Sequence, residues 1–437
     1  MHAVPASRRA FLKTAALAAT GLAALGPRAL ARARGANDRI VLGFIGVGNM
    51  GRENLRQLLR PGGAECAVVC DVDRRHAENG VAEALRQQTR TPEIVADFRR
   101  VLDRKDIDAV VISTPDHWHA LPFIAACEAG KDVFCEKPIS HNLTEARAMA
   151  AAARHFQRVV QVGTWQRSIA HFQQAVEFIR AGKLGRVQIC RAWATHVPKQ
   201  VGRQQPAAPP PELDWDLWTG PARKLPYQAN RCHYHWRWFY NTGGGLLADW
   251  GVHMIDIACL AMNDWDPVSV HSEGGTYVVD DDRDTPDTMQ TLYRFRRWQL
   301  LWEQRHGNNQ GLDTAGKDAG VAFVGDHGTL LVDRAALRWF PRDSDEEAPG
   351  PGESRRGENT HWQNFLDCIR TRATPRADIA SLARTTTVCH LGNISHQAGV
   401  TVRWDAAKQD VANRSAVRHA LAYDRDYRRP WRLKHYR

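Results

Sequence analysis

The chain has 437 residues, of which 43% are hydrophobic and 24% are charged. This composition is that of an ordinary globular protein and excludes a disordered or collagen-like chain, while the length favours two domains. The formal net charge is +11, but the basic residues are scattered and no recognition motif for nucleic acid occurs, so nucleic acid is not a predicted partner.

The first predicted element is an export signal over residues 1–33. The stretch SRRAFLKTAALAATGLAALG carries adjacent Arg8 and Arg9, and no further charge follows between Lys13 and Arg28. A twin-arginine head before such a run is typical of a cleaved signal peptide, and the run is too short for a lasting anchor, which needs roughly 20 apolar residues. We therefore predict export of the folded protein to the periplasm through the twin-arginine machinery, with no membrane anchor after cleavage. This route is typical of proteins whose cofactor is loaded inside the cell.

The nine cysteines have no repeated spacing and form no C-x-x-C pair. Cys66, Cys70 and Cys135 lie in apolar runs that are typical of buried strands, where a free cysteine behaves as a small hydrophobic residue. Since the chain is expected to fold in a reducing cytoplasm, it needs no disulfides.

Residues 38–165 are predicted to form a doubly wound Rossmann domain. Short apolar runs rich in β-branched residues alternate with longer segments of helical periodicity, the runs being RIVLGFI, CAVVC, AVVIS, DVFC and VVQV. This alternation indicates βαβ units, and hence an α/β fold with a parallel sheet covered by helices on both faces. Asn142 with Glu145 three residues later forms a capping box, which predicts a helix through ARAMAAAARH.

Residues 166–405 are predicted to form a second, α+β domain. After a helix through FQQAVEFIRAG and a strand VQICRAWATH, a linker rich in Pro and Gln follows. Beyond it, the segments VSVHSEGGTYVV, TMQTLYRFRRWQLLWEQ and VAFVG alternate with a period near two, which favours an antiparallel sheet with one covered face. The segment PRDSDEEAPGPGESRRGE is predicted to be a solvent-facing loop, and helices from His361 and from about Ile379 precede a last strand, VTVRW. Residues 406–437 form a C-terminal extension.

The motif GVGNMG directly follows the first predicted strand and precedes a helix. Gly46 permits a tight turn, Gly48 allows the backbone to approach a pyrophosphate, and Gly51 allows close packing of helix on strand. The phosphates then meet the positive end of the helix. A glycine turn without a nucleotide is the structural alternative, and the strand, helix and acid that surround the motif count against it.

The acid is Asp71, which ends the second predicted strand where a carboxylate accepts the ribose hydroxyls of a dinucleotide. A carboxylate there repels a 2′-phosphate, which favours NAD over NADP. Arg74 and Arg75 follow closely and leave NADP open as an alternative.

The segments STPDHWHA and FCEKPIS follow two strands at the carboxyl edge of the predicted sheet, where ligands bind in open α/β folds. Lys137 precedes Pro138, so its backbone is restrained. A lysine at this edge can donate to a substrate hydroxyl or take part in proton transfer. A solvated lysine after a strand is the structural alternative.

Further along, NTGGGLLADWGVHMIDIACL places Asp249, His253 and Asp256 at i, i+4 and i+7, on one face of a predicted helix. A carboxylate one turn away can orient the histidine ring and raise its basicity, which suits a base that takes a proton from an alcohol. A structural histidine remains the alternative. A metal site built from His233, His235, His253 and Asp256 is the other alternative, and because their spacing matches no zinc signature, no metal is predicted.

Together, GVGNMG, TPDHWHA, EKP and GGGLLADWGVHMID resemble the glucose-fructose oxidoreductase, inositol dehydrogenase and MocA (Gfo/Idh/MocA) family, and in particular its exported branch with twin-arginine leaders. The resemblance extends from about Arg39 to Trp404. It implies an N-terminal Rossmann domain, a C-terminal domain with a large open sheet, and dimers or tetramers that pack through that sheet.

The resemblance also implies roles for single residues. Lys137 would be a catalytic or substrate-orienting lysine, His253 the general base or acid, and Asp249 a ligand of substrate hydroxyls that supports His253. The expected cofactor contacts are Gly46, Gly48, Asn49, Met50, Gly51, Asp71, Thr114, Pro115, His119, Glu136, Lys137 and Trp218. The expected substrate contacts are Lys137, Trp236, Asp249 and His253. The segment HYHWRWFYN, which contains Trp236, departs from familiar relatives, and its aromatic residues can stack on a sugar or belong to the core.

The sequence thus leads to an exported NAD-dependent oxidoreductase acting on a secondary alcohol of a sugar, glycoside or cyclitol. Because free NAD is scarce outside the cytoplasm, the dinucleotide is expected to be tightly held. Two alternatives stay open: a redox-neutral enzyme that cleaves a glycoside by oxidation, elimination and re-reduction, and a sugar-binding protein without catalysis.

Overall fold

A computed structural model describes residues 39–196, 200–308, 317–343 and 360–436. The predicted export signal and most of the acidic loop at residues 341–358 lie outside these ranges. Within them, no helix combines the length and the apolar character that a membrane span requires.

The first domain alternates strands with helices. Its strands are β1 (Ile40–Ile45), β2 (Ala64–Cys70), β3 (Glu93–Val95), β4 (Ala109–Ile112), β5 (Asp132–Cys135) and β6 (Val160–Val162). Its helices are α1 (Asn49–Leu59), α2 (Arg74–Ala84), α3 (Phe98–Leu102), α4 (Ala120–Glu128) and α5 (Leu143–His155). A short 3₁₀ helix, Asp116–Trp118, precedes α4.

The strands of this domain form one parallel sheet in the order β3-β2-β1-β4-β5-β6. The chain reverses its direction of winding between β1 and β4, and this is where a doubly wound sheet opens a crevice at the carboxyl ends of its strands. The Rossmann prediction is confirmed. The sequence had indicated five of the six strands and had missed the short edge strand β3, whose residues are exposed or half-buried.

The second domain contains longer strands. They are β7 (Val187–His196), β8 (Ser269–Gly275), β9 (Thr288–Arg294), β10 (Gln299–His306), β11 (Ala319–Gly325), β12 (Gly328–Val332), β13 (Leu337–Pro341), β14 (Val402–Asp405) and β15 (Asp410–Val411). The helices are α6 (Ala170–Arg180), α7 (Trp215–Thr219), α8 (Val252–Met262), α9 (Thr360–Thr371), α10 (Ile379–Ala398) and α11 (Arg414–Val417). Short 3₁₀ helices lie at Trp165–Ser168, Ala229–Arg231 and His235–Trp238, and a π-helical turn lies at Leu247–Gly251.

These strands form a nine-stranded sheet in the order β13-β12-β11-β7-β10-β9-β8-β14-β15. Strands β7 and β10 pair in parallel and the other neighbours pair antiparallel, so the mostly antiparallel prediction is confirmed. Along β9, Met289 and Tyr293 are buried while Gln290 and Arg294 are exposed, the period-two pattern that the sequence indicated. The buried face packs against α6, α8 and α10.

The end of the chain returns to the first domain. Phe365 of α9 is fully buried in the core beside β1, and Arg425 forms an ion pair with Glu145 of α5. Trp431 packs edge-on against Trp118, with ring centroids 4.8 Å apart. The C-terminal segment therefore ties the second domain onto the first at several points, which fixes the crevice between them.

The helix cap at Asn142 and the buried cysteines are as the sequence predicted. The Asn142 carboxamide accepts from the Glu145 backbone N–H at 2.9 Å and caps α5, which begins where the capping box indicated. Cys66, Cys70 and Cys135 are buried free thiols, as expected for residues in sheet strands.

Buried histidines make the fold sensitive to acid. Burial lowers the pKa of His117 and His361 to about 3, and that of His119 and His390 to about 4. Between these values and the unfolded value near 6.5, each histidine takes up a proton on unfolding, so stability is lost as the pH falls.

We predict that the free energy of unfolding falls between about pH 6 and about pH 4.5, by on the order of 1 kcal/mol per pH unit for each of these histidines. Urea denaturation across this range measures the slope. Replacing His390 with Asn reduces the slope by one proton, and a stability that stays constant over the range would contradict the assignment of neutral buried rings.

Candidate active site

A cleft of about 450 Å³ lies between the two domains, at the carboxyl edge of the parallel sheet. From the first domain it is lined by the segments that follow β1, β2, β4 and β5. From the second domain it is lined by residues 233–237, by the π-helical turn and by the start of α8. Most of the residues that the sequence singled out therefore meet in one cleft.

In the glycine turn at the end of β1, neither Gly46 nor Gly51 has space for a side chain. Gly46 has a φ of +82°, and an added Cβ would lie 2.8 Å from the backbone nitrogen of Thr114. At Gly51 an added Cβ would lie 2.1 Å from the carbonyl oxygen of Gly46, so helix α1 packs directly on the turn. These two glycines have the steric roles that the motif predicted.

The first turn of α1 is open toward the cleft. Gly48 occupies the N-cap position, no side chain caps the helix, and Asn49 and Met50 line the cleft beside it. Thr114 and Pro115, at the end of β4, line the opposite side. Free N–H groups at the start of an eleven-residue helix beside a tight glycine turn fit the pyrophosphate of a dinucleotide.

Asp71 is held in place by the backbone around it. Its carboxylate accepts from the N–H of Val47 at 2.8 Å and from the N–H of Asp73 at 3.0 Å, while still lining the cleft. Burial raises its pKa, and these two hydrogen bonds oppose the rise. The carboxylate is thus fixed where the sequence placed an acceptor for ribose hydroxyls.

The arginines that kept NADP open are engaged elsewhere. Arg74 pairs with Glu78 at 2.9 Å and Arg75 pairs with Glu212 at 2.5 Å, and both arginines are largely exposed. Neither arginine lines the cleft as the structure describes it.

The residues considered as alternative metal ligands do not form a cluster in the described part of the chain: His233, His235, His253 and Asp256. Asp256 forms a buried ion pair with Arg167 at 2.7 Å on the far side of α8, so it does not share a face with Asp249 and His253 in the cleft, and that part of the sequence prediction is wrong. The physical reason is that Asp256 is completely buried, where a carboxylate requires a charged partner, and Arg167 supplies it.

A different group of possible ligands forms at the ribose end of the cleft. Among the described residues, one cluster with ligand-forming atoms within 4.8 Å of one another consists of Asp73, His76 and His233. His233 Nε2 lies 2.9 Å from Asp73 Oδ2, and the two imidazole rings are 4.1 Å apart. The cluster closes residues 233–237 over the loop that follows β2.

Lys137 and Asp249 form the central contact between the domains. Lys137 Nζ donates to Asp249 Oδ1 at 2.5 Å and to the Asp249 carbonyl oxygen at 2.9 Å. Arg237 Nε lies 3.2 Å from the other carboxylate oxygen. Burial alone would raise the pKa of Asp249, but the two cations outweigh it and hold that pKa well below its usual range.

His253 is buried on α8 and lines the cleft beside this pair. Burial, reinforced by the positive charges of Lys137 and Arg334, lowers its pKa well below the usual value, and Asp249 only partly opposes this. Its Nδ1 is buried and has no hydrogen-bond partner in the described part of the chain, which leaves Nε2 for a ligand. Asp249 thus acts on His253 through space, and does not orient the ring through the hydrogen bond that the i, i+4 spacing suggested.

Glu136 lines the cleft, and its expected contact near the nicotinamide ribose stays a prediction. It accepts from the Asn54 side chain at 2.8 Å and from the Lys137 backbone N–H at 3.1 Å, and burial raises its pKa. Gly163 gives it room, because a Cβ there would lie 2.6 Å from the carboxylate.

His119 takes a supporting position. Its ring is buried behind the cleft, with Nδ1 2.7 Å from the Pro138 carbonyl and Nε2 2.8 Å from the Thr114 carbonyl. It links the loop after β4 to the loop after β5. Its proposed contact with the cofactor stays a prediction, as do the roles of the other residues in the cleft.

Aromatic residues form the remaining walls. Trp218 stacks on Trp215 with ring centroids 4.7 Å apart, and Trp236 lies under the guanidinium of Arg237 at 4.6 Å. Both tryptophans that the sequence named therefore line the cleft.

The lining residues that sequence reasoning missed include Arg334, Trp165 and Trp250. Trp250 lies within a recognised motif, and Trp165 follows the last predicted strand of the first domain. Arg334 lies far along the chain in a hairpin turn, and no local pattern places it near the others.

Two family models match the chain. One, described as an oxidoreductase family with an NAD-binding Rossmann fold, matches residues 40–164, and the other, described as the C-terminal alpha/beta domain of an oxidoreductase family, matches residues 193–433. Both are models of the Gfo/Idh/MocA oxidoreductases.

Individual relatives are more distant. Inositol 2-dehydrogenase 3 of Saccharopolyspora erythraea is 36% identical over 146 residues, 33% of this chain and 41% of that protein. A glycosyl hydrolase family 109 protein of Shewanella putrefaciens is 33% identical over 125 residues, 28% of this chain and 27% of that protein. Each alignment spans less than half of the relative's own length.

A solved levoglucosan dehydrogenase, in complex with NADH and levoglucosan, has the same fold. It superposes with a TM-score of 0.64 at 19% identity, covering 84% of this chain and 99% of that chain.

We predict that Gly51→Ala abolishes dinucleotide binding, because the added Cβ pushes α1 off the glycine turn. Gly62→Ala is the control for general destabilisation: its φ of +66° strains an alanine, but nothing lies within 4 Å of the added Cβ and the residue does not line the cleft. Calorimetric titration with NAD measures both. Equal affinities for the two variants would show that the turn does not form the cradle.

Proposed function

The chain belongs to the Gfo/Idh/MocA oxidoreductase family, and from this we propose that it is an NAD-dependent enzyme that oxidises or reduces a secondary alcohol of a sugar, glycoside or cyclitol. The observation that carries the proposal is that one cleft holds both the dinucleotide cradle and the cluster of Lys137, Asp249 and His253. The inositol and levoglucosan dehydrogenases support a polyhydroxylated substrate.

When bound, a nicotinamide dinucleotide supplies the hydride acceptor or donor. The chain itself has to position the alcohol and move its proton. Because burial keeps the His253 ring neutral, Nε2 is free to accept the hydroxyl proton during oxidation. The return of that proton to a carbonyl oxygen serves the reverse reaction.

Lys137 and Asp249 orient the substrate. The Lys137 ammonium has one N–H direction beyond its two contacts with Asp249, and this can donate to the oxygen at the reacting carbon. The Asp249 carboxylate, kept ionised by Lys137 and Arg237, can accept from a neighbouring hydroxyl. Such a pair fixes two adjacent hydroxyls of a ring in one orientation.

NAD is the proposed form of the cofactor. A 2′-phosphate would meet the fixed Asp71 carboxylate, and Arg74 and Arg75 are paired with glutamates outside the cleft. The closure of His233 onto Asp73 covers the ribose end of the cleft and supports slow release of the dinucleotide. Slow release accords with the proposed export of a loaded protein through the twin-arginine pathway and its work in the periplasm.

A redox-neutral glycoside-cleaving activity is the second candidate, favoured by the similarity to the glycosyl hydrolase family 109 protein. In that reaction a ring hydroxyl is oxidised to a ketone, the adjacent C–H loses its proton, and the glycosidic group leaves with formation of a double bond. Water then adds to that double bond, and the hydride returns to the ketone. A chromogenic glycoside separates the two candidates, since release of its aglycone without an external acceptor requires cleavage.

The protein isolated from its own host tests the proposal directly. Denaturation followed by mass spectrometry is expected to release one dinucleotide per chain, with NAD in excess over NADP. A protein that releases none and binds neither would contradict both catalytic candidates.

We predict that His253→Ala lowers the rate of reduction of the bound dinucleotide by about 100-fold or more, because proton transfer loses its base. The dinucleotide content stays unchanged, which separates catalysis from binding. His419→Ala, at an exposed position outside the cleft, is the matched control and retains full activity. A His253 variant as active as this control would remove the residue from the mechanism.

A further inference from the structure

Arg334 enters the cleft from the turn between β12 and β13. The turn is held by the Asp333 carboxylate, which accepts from the N–H groups of Ala335 and Ala336 at 2.6 and 3.0 Å. The guanidinium lies on the same cleft wall as His253, close enough for its charge to lower the pKa of that histidine. A charged side chain from a rigid hairpin thus points at the proposed reaction site.

The Arg334 guanidinium packs against two indole rings. Its central carbon lies 4.7 Å from the centroid of Trp165 and 4.3 Å from that of Trp250. Its Nε donates to the side chain of Gln166 at 3.0 Å, and Gln166 is itself fully buried. Because Nε is occupied by Gln166, the two terminal nitrogens are the groups that remain for a ligand.

No carboxylate neutralises Arg334 within the described residues. The acids that act on it, Asp318 and Asp249, do so through space without forming an ion pair, and burial lowers its pKa to about 10. Asp249 is already paired with both Lys137 and Arg237. The cleft beside His253 therefore holds the cations Lys137, Arg237 and Arg334 and the carboxylates Asp249 and Glu136. Arg334 is the cation that no described carboxylate contacts.

Resting on the proposed function, we infer that Arg334 binds an anionic substituent of the substrate, so that the enzyme acts on a sugar acid rather than on a neutral sugar. A partly buried guanidinium without a counter-ion gains most from a ligand that supplies one. The paired terminal nitrogens match two oxygens of a carboxylate or of a phosphate. Because Arg334 supplies a single unmatched positive charge, it balances a carboxylate but not a phosphate dianion, and this makes a uronate the favoured class.

The test uses the holoprotein with matched pairs of probes: D-glucuronate with D-glucose, D-galacturonate with D-galactose, the methyl glycosides of all four, and the corresponding sugar sulfates and phosphates. Reduction of the bound dinucleotide, followed by absorbance as a single turnover, gives the maximal rate and an apparent KM, the half-saturating concentration, for each probe. Calorimetry gives the affinity independently of turnover. The variants are Arg334→Gln and Arg334→Lys. The control is Arg186→Gln, which changes an exposed arginine just before β7 that does not line the cleft.

The expected result is that at least one uronate binds and reacts about 10-fold or more better than its neutral partner. Arg334→Gln removes the preference mainly through KM, Arg334→Lys keeps part of it, and Arg186→Gln keeps all of it. Better use of the sulfates or phosphates than of the uronates would overturn the choice of carboxylate.

Three outcomes separate this inference from the proposed function. Neutral sugars that react as well as uronates, or a preference that survives Arg334→Gln, would overturn the inference and leave the oxidoreductase standing. Uronates that bind through Arg334 without reducing the dinucleotide would support the inference and overturn the proposed oxidoreductase function. A holoprotein that binds none of the anionic probes at millimolar concentration contradicts the inference.

Discussion

The geometry of the cleft depends on the ion pair between Lys137 and Asp249. Lys137 follows β5 at the carboxyl edge of the parallel sheet of the first domain, and Asp249 lies in the π-helical turn that leads into α8. Because Nζ binds both the carboxylate and the carbonyl oxygen of Asp249, it fixes the turn as well as the side chain. The C-terminal segment holds the domains close enough for this contact, through the buried pair of Arg425 and Glu145.

The same pair sets the electrostatics of its neighbours. Asp249 remains ionised because it forms ion pairs with both Lys137 and Arg237, and these two cations compensate its negative charge. His253 therefore stays neutral under the combined effect of burial and the surrounding positive charge. Arg334, the third cation, has no carboxylate contact in the described part of the chain and is the proposed site for an anion. The proposed base, orienting pair and anion site would all be consequences of one arrangement of charges.

How much the sequence predicted follows from how local each signal is. The glycine turn, Asp71 and the capping of α5 depend on residues a few positions apart, and the structure places them as expected. Asp249 and His253 both line the cleft, whereas Asp256, which the same helical period placed on their face, forms a buried pair with Arg167. The position of Arg334 at the cleft depends on how β12 and β13 pair at the edge of the nine-stranded sheet. No pattern near Arg334 in the chain indicates that pairing.

The central claim is that Lys137 and Asp249 act as one unit at the reacting carbon, and a double-mutant cycle on the rate of reduction of the bound dinucleotide tests it most directly. Lys137→Met, Asp249→Asn and the double variant are compared with the parent, each with its dinucleotide content measured. Strong coupling is the predicted result: the double variant is no slower than the slower single variant. Losses that simply multiply would show that the two residues act independently and would contradict the account.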